Sequence, residues 1–332
     1  MKPRQPSQTL VDLQQKMAGF QESRVLLTAI ELDLYSAVGA GSTAKQVSAR
    51  LKTHPRSTEA LMNALVSLGT LRKKRDSFFN TPVTARYFVK GSPGDMRAAA
   101  MHTVNMWTYW STMTECVRRG TSVLYKEFPE RGNEWTTAFI AAMHHGAEAR
   151  AAEVVAAVGI RGSVRLLDVG GGSGAYSIAF AKANPDLRAE VFDLAAVVPI
   201  ARGHVRQAGL ETRVKTRVGD LRKDSLGSGY GLVFVSAICH MLGPDENLDL
   251  LKRCRSALAP SGRVVIQDFI LEPGKTAPPH AALFSLNMLV ATRSGSNYTE
   301  AEYRAWLKQA GFKKITRLPI SGGTSLIQGT TR

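Results

Sequence analysis

The chain has 332 residues, 44% hydrophobic and 21% charged, which suits one large domain beside a smaller one and excludes wholesale disorder. Lys and Arg number 43 against 27 Asp and Glu, a net charge of +16 that leaves an anionic partner open. Three widely spaced cysteines (Cys116, Cys239, Cys254), a polar start and no apolar run near the roughly 18 residues of a span exclude a disulfide scaffold, secretory leader and membrane helix. The thiols are expected to be reduced, in a cytoplasmic protein.

No internal repeat or low-complexity stretch stands out. The pattern predicts three parts, with boundaries at 1–100, 101–160 and 161–332. In the first, residues 24–37 and 58–68 are apolar at helical spacing, with Leu61, Leu65 and Leu68 at i, i+4 and i+7. A short helix, STAKQVSARL, lies between them, and LRKKRDSFFNTP follows as a hairpin. Helix, short helix, helix and hairpin make a winged-helix pattern. Longer helices rich in Met, Trp and His follow, from about 97 to 157.

The third part alternates β-branched runs with helical segments, the signature of a doubly wound α/β fold with a parallel sheet. Strands are predicted over 164–169, 188–193, 213–220, 231–238 and 262–270. Thr299 and Glu302 form a capping box at the start of EAEYRAWLKQA, and Gly311 stops that helix. Two last strands lie around 313–320 and 324–331.

The first strand runs into Asp168-Val169-Gly170-Gly171-Gly172-Ser173-Gly174, and a helix follows. Glycines there let the backbone turn sharply and a ligand lie against it. Gly170, Gly172 and Ala175 also satisfy the dinucleotide pattern G-x-G-x-x-G/A. However, a carboxylate at Asp168 repels a pyrophosphate and suits a ligand bearing an ammonium and a sulfonium, which is S-adenosylmethionine. Asp193, at the end of the second strand, is placed to take both ribose hydroxyls, and Asp220, at the end of the third, the adenine amino group.

These residues, with Ala237-Ile238-Cys239-His240, Pro244-Asp245-Glu246 and SLNMLV…YTEAEYRAWLKQAGF in order, make a chain that resembles the small-molecule O-methyltransferases. That family includes plant caffeic acid, animal acetylserotonin and bacterial polyketide, carotenoid and bacteriochlorophyll-precursor methyltransferases. The resemblance covers nearly the whole chain. It implies a Rossmann-like methyltransferase sheet, an N-terminal all-α winged-helix-like dimerisation domain, a homodimer and no metal. Asp168, Gly170, Gly172, Asp193, Leu194, Asp220, Leu221 and Ser236 would hold S-adenosylmethionine, Ser236 standing where plant members have a lysine.

The resemblance also makes His240 a general base. A phenol with a pKa near 10 is hardly ionised at neutral pH, whereas an imidazole near 6.5 can accept its proton as the oxygen attacks. Asn297 stands where plant members have a glutamate flanking that histidine, and Gln328 is aligned with a second glutamate. Base catalysis is therefore expected to be weakened. Such a chain could methylate carbon or nitrogen, or keep the cofactor only as structure or as a sensed ligand.

Trp107, Trp110, Met143, His144, Phe284, Asn287 and Met288 fall in regions that build the acceptor pocket in that family. A flat pocket of Met and aromatic residues suits a small aromatic or polyketide-like acceptor. His144 and His145 are adjacent, so on a helix at most one of them faces a pocket. Residues 1–100 hold 15 Lys and Arg against 7 Asp and Glu, so the charge is not concentrated there. The second main helix of the winged motif has Arg56 as its one basic residue. Arg72-Lys73-Lys74-Arg75 is accordingly expected to be a solvated wing, and no sequence-specific nucleic-acid binding is expected.

Overall fold

The structure, a computed structural model, describes residues 9–160 and 164–332. The boundary expected at 161 lies outside the described residues. The chain forms two compact units, one up to Val104 and one over Asn105–Arg332, the division falling within the helix Arg97–Trp110. Most of the linking helices expected over 101–160 therefore belong to the second unit.

The first unit contains helices Leu10–Ala18, Phe20–Glu31, Leu34–Val38, Ala44–Leu51, Pro55–Ser67 and Pro82–Tyr87. Strands β1 (Ser42–Thr43), β2 (Leu71–Lys74) and β3 (Ser77–Asn80) form a small antiparallel sheet in the order β1-β3-β2. The helix expected over 24–37 is broken, because Asp33 adopts a left-handed φ of 54° between two shorter helices. Thr43 caps the short helix and boxes with Gln46, and Pro55 starts the next. Leu34, Val47, Met62, Leu65 and Phe78 make the core.

On the hairpin, Lys73 bonds Asn63 at 2.9 Å and lies over the Phe78 ring. The basic run is exposed as a wing. Leu10, Val11, Leu13, Met17 and Phe20 are exposed on the first two helices.

The second unit is built on a seven-stranded sheet. Its strands are β4 (Arg165–Val169), β5 (Arg188–Asp193), β6 (Val214–Val218), β7 (Tyr230–Ser236) and β8 (Leu258–Asp268). A short parallel pair, β9 (Ile270–Leu271) and β10 (Tyr298–Thr299), stands apart from the sheet, and β11 (Lys313–Pro319) and β12 (Ser325–Thr330) complete it. The order is β11-β12-β8-β7-β4-β5-β6, parallel from β8 to β6, with β12 and β11 antiparallel at one edge. Apolar clusters cover both faces, one around Val235, Leu250, Ile266 and Tyr303, the other around Val154, Phe180, Val191 and Phe234.

The strand order reverses at β4. Its neighbours are β5 on one side and β7 on the other, so the crevice at their carboxyl ends is the natural ligand site of such a sheet. β6 ends at Val218, two residues short of Asp220. Gly219 turns the chain there, where a Cβ would meet the Phe192 ring at 2.3 Å, and its amide bonds Asp193 O at 2.9 Å. Asp220 thus stands in a loop, not on the strand.

Candidate active site

Asp168, Gly170, Gly172, Asp193, Leu194, Asp220, Leu221 and Ser236 all line one cavity at this crevice. Gly170, Gly172 and Gly174 have φ of 66°, 58° and 77°, the left-handed region that glycine enters freely. At Gly170 a Cβ would also lie 2.4 Å from the Ile238 side chain. The loop therefore passes closer to its surroundings than any other residue would allow.

The loop and the two acids are tied together. Asp193 accepts from the amides of Gly172 and Leu194, each at 2.7 Å, which aims its carboxylate along the loop. Asp168, almost wholly buried, accepts from the Ser177 hydroxyl at 2.7 Å through Oδ2, while Oδ1 has no partner. Burial, with the Asp193 charge close by, pushes the Asp168 carboxyl up to about 7. Burial likewise pushes Asp193 up to about 6. The Ser236 hydroxyl donates to Gln267 Oε1 at 3.0 Å.

The long helix Asn133–Val158 presents Phe139, Ile140, Met143, Ala147 and Arg150 to the same cavity. These positions repeat at helical spacing along one face. Arg150 has a buried Nε with no partner. Its sequence signal was weak, since nothing but helical phase sets it apart from other basic residues.

His240 lies in a short 3-10 turn after β7, 5% exposed, and Asp268 ends the neighbouring β8. The register Ser236↔Gln267 brings the two strand ends together. His240 Nδ1 meets Asp268 Oδ1 at 2.6 Å, and the His240 amide donates to Oδ2 at 3.1 Å. The carboxylate also accepts from the Phe269 amide at 2.8 Å and the Tyr303 hydroxyl at 3.1 Å. An ionised carboxylate only accepts, so an Nδ1 proton facing it leaves the lone pair of a neutral imidazole on Nε2. Phe284 packs edge-on against the imidazole at 4.9 Å.

The bonds of Asn297 and Gln328 run elsewhere. The Asn297 amide donates to Ala281 O at 2.6 Å and Gln328 donates to Thr316 Oγ1 at 3.0 Å, so neither residue is the partner of the imidazole. Asp268 is. Sequence reasoning passed over Asp268 because only strand register, not local pattern, joins it to His240.

The expected acceptor residues divide. Met143 lines the cavity, whereas Trp107, Trp110, His144, Phe284, Asn287 and Met288 do not. Trp110 Nε1 donates to Asn287 Oδ1 at 2.8 Å, which joins two of them, and Met288 is buried. Trp107 is half-buried. His144 bonds Ser173 Oγ of the glycine loop at 2.8 Å and stacks on His204 at 4.0 Å, so it braces the loop.

All three cysteines are buried, and burial pushes the Cys254 thiol up to about 12. Among the described residues no group of three His, Cys, Asp or Glu side chains is placed to hold a metal. Nor is any described helix long and apolar enough to cross a membrane.

A glycine loop at the switch point, with acids at or just beyond successive strand ends, is the arrangement of a nucleotide-type ligand site in an α/β sheet. Comparison with known proteins gives the family. Residues 111–313 match the family model of the O-methyltransferase domain, and residues 14–90 that of the O-methyltransferase dimerisation domain. The chain is 33% identical over 323 residues to 3-hydroxy-5-methyl-1-naphthoate 3-O-methyltransferase of Streptomyces sahachiroi, covering 94% of this chain and 92% of that one. Among solved structures, PigF with SAH matches with a TM-score of 0.90 at 24% identity, over 97% of this chain and all of that one. Human N-acetylserotonin methyltransferase in complex with SAM matches with a TM-score of 0.83 at 22% identity, over 98% and 99%. The chain belongs to the O-methyltransferase family, whose members depend on S-adenosylmethionine.

Proposed function

We propose that this enzyme transfers the methyl group of S-adenosylmethionine to a hydroxyl of a small aromatic or polyketide-like acceptor, with His240 as general base. The observation that supports it most is the His240–Asp268 pair, an imidazole held through Nδ1, lying in the chain between Ile238 and Met241, which line the glycine-loop cavity. The residues fit the cofactor's chemistry. Asp168 has a buried carboxylate oxygen without a donor, suited to an ammonium, and Arg150 a buried donor without an acceptor, suited to a carboxylate. Asp193 would take the ribose hydroxyls, with Leu194 beside it. Asp220 would take the adenine amino group, and Leu221 and Ser236 complete the wall.

When bound, S-adenosylmethionine supplies an electrophilic methyl group on a sulfonium. The chain's part is to place the acceptor oxygen and remove its proton. His240 Nε2 accepts that proton while Asp268 holds the Nδ1 proton and balances the imidazolium charge. The buried Tyr303 hydroxyl and two amides hold the Asp268 carboxyl in place, so little reorganisation accompanies the transfer.

The apolar neighbourhood of His240, with Phe269 and Phe284 in tilted contact at 4.8 Å, favours a flat ring as acceptor. The Streptomyces relative named for a hydroxynaphthoate supports the same class. The first unit would pair two copies in a homodimer, covering the apolar faces of its first two helices.

Calorimetric titration with S-adenosylhomocysteine tests the cofactor site. Micromolar binding that Asp193→Ala abolishes is expected. A folded wild-type protein that does not bind would overturn the assignment.

A further inference from the structure

The segment between helices Met113–Arg119 and Asn133–Val158 crosses the cavity and contributes Tyr125, Lys126, Glu127 and Phe128 to its lining. It is fastened to the end of helix Pro279–Ala291 and just beyond by side chain–carbonyl bonds. Ser122 donates to Val290 O at 2.6 Å, Thr121 to Arg293 O at 2.9 Å and Arg131 to Ala291 O at 3.0 Å.

Toward the other wall its tie is a charged one. Glu127 accepts from Arg222 at 2.8 Å and pairs with Arg293 at 3.2 Å. Glu127 and Arg222 are each about one-third exposed, so the pair is only partly screened.

Arg222 stands between two carboxylates. Its short contact is to Glu127, and its Nε lies 3.4 Å from Asp220 Oδ1, which also accepts from the Arg222 amide at 2.9 Å. A guanidinium released from Glu127 would have Asp220 as its nearest carboxylate among the described residues, and a planar fork pairs readily with both oxygens of a carboxylate. Both Asp220 oxygens would then be engaged, and any other donor would compete with the guanidinium.

We infer that Glu127 is a positioning residue for cofactor recognition: it holds the Arg222 fork so that only Nε reaches Asp220 Oδ1, keeping the guanidinium from closing on both oxygens and leaving Oδ2 to read the adenine amino group. This rests on the proposed place of Asp220 at the adenine. Arg222 holds the Glu127 carboxyl below its usual range, which fits a carboxylate engaged over the working pH.

The test compares S-adenosylhomocysteine with its inosine analogue, which offers a carbonyl where adenine offers an amino group. A hydrogen bond to a charged acceptor is worth about tenfold or more in affinity, so wild type should favour the adenine compound by at least that factor. In Glu127→Gln the preference should fall below about threefold, with the thermal midpoint of the free protein unchanged. In Glu127→Gln/Arg222→Gln it should return, because no guanidinium remains to occupy Asp220. A role confined to holding the segment in place would weaken both ligands alike.

An unchanged preference in Glu127→Gln, or a double variant as indiscriminate as the single one, would overturn the inference. Wild type that binds both ligands equally would overturn it too, while leaving the cofactor site standing. Wild type that binds neither would remove the proposed function and this inference with it.

Discussion

His240 and Asp268 are joined twice, once ring to carboxylate at 2.6 Å and once backbone amide to carboxylate at 3.1 Å. The double link fixes both the position of the histidine and the side of its ring from which a proton can be accepted. With the Asp268 side chain fully buried, the pair stays oriented without help from solvent.

Replacing Asp268 with Asn should therefore damage catalysis more than binding. The amide can present a donor to Nδ1 and favour the wrong tautomer. Turnover should drop roughly 10²-fold, in the range of a lost general base, while the Kd for S-adenosylhomocysteine moves less than about twofold. Steady-state kinetics beside calorimetry would check both halves.

Cofactor binding should depend on pH through Asp168 and Asp193. Their carboxyls are raised in the free protein to about 7 and about 6, from 3.8. Groups raised in this way contribute stability that is complete below the unfolded pKa and is lost as pH rises through the folded one. The free protein should thus lose thermal stability between about pH 4 and pH 7 on their account. A cationic ammonium favours the ionised forms, so binding should release protons and tighten from pH 5 to pH 8. Calorimetry in buffers of different ionisation enthalpy would count the protons, and Asp168→Asn, which removes the carboxyl proposed to face the ammonium, should flatten the profile.

The glycines of the loop should not be equivalent. At Gly172 a Cβ would meet only Ile140, at 3.9 Å, so Gly172→Ala faces backbone strain of about 1–2 kcal/mol. At Gly170 the same strain adds to the clash with Ile238. Gly170→Ala should therefore lower the thermal midpoint further, and chemical denaturation of the two variants would rank them.

Gln328, on β12, is removed from the chemistry by its bonds to Thr316 and Arg263. Gln328→Ala should leave turnover within about twofold, the usual range for a substitution away from special features. A larger loss would show that Gln328 acts in the chemistry despite these bonds.

Much of the fold was legible because its signals are local. The glycine loop, the strand over 188–193, the helix AYSIAFAKA and the capping box at Thr299 each declare themselves within a few residues. Asp193 was legible for the same reason. Asp268 was not, because its meaning arises only when β8 lies in register beside β7. The bond of His144 to the glycine loop was not legible either, because helical phase decides it and two adjacent histidines leave the phase open. Arg222 and Glu127 are 95 residues apart in the chain, and their pairing has no sequence signature.

The most direct measurement is the fate of a labelled methyl group. The enzyme would be given methyl-13C S-adenosylmethionine and 3-hydroxy-1-naphthoic acid or another hydroxylated ring, and the product read by NMR. The account predicts an aryl methyl ether with wild type and a loss of roughly 10²-fold or more with His240→Ala. A methyl group on carbon or nitrogen, or an undiminished rate in His240→Ala, would contradict it.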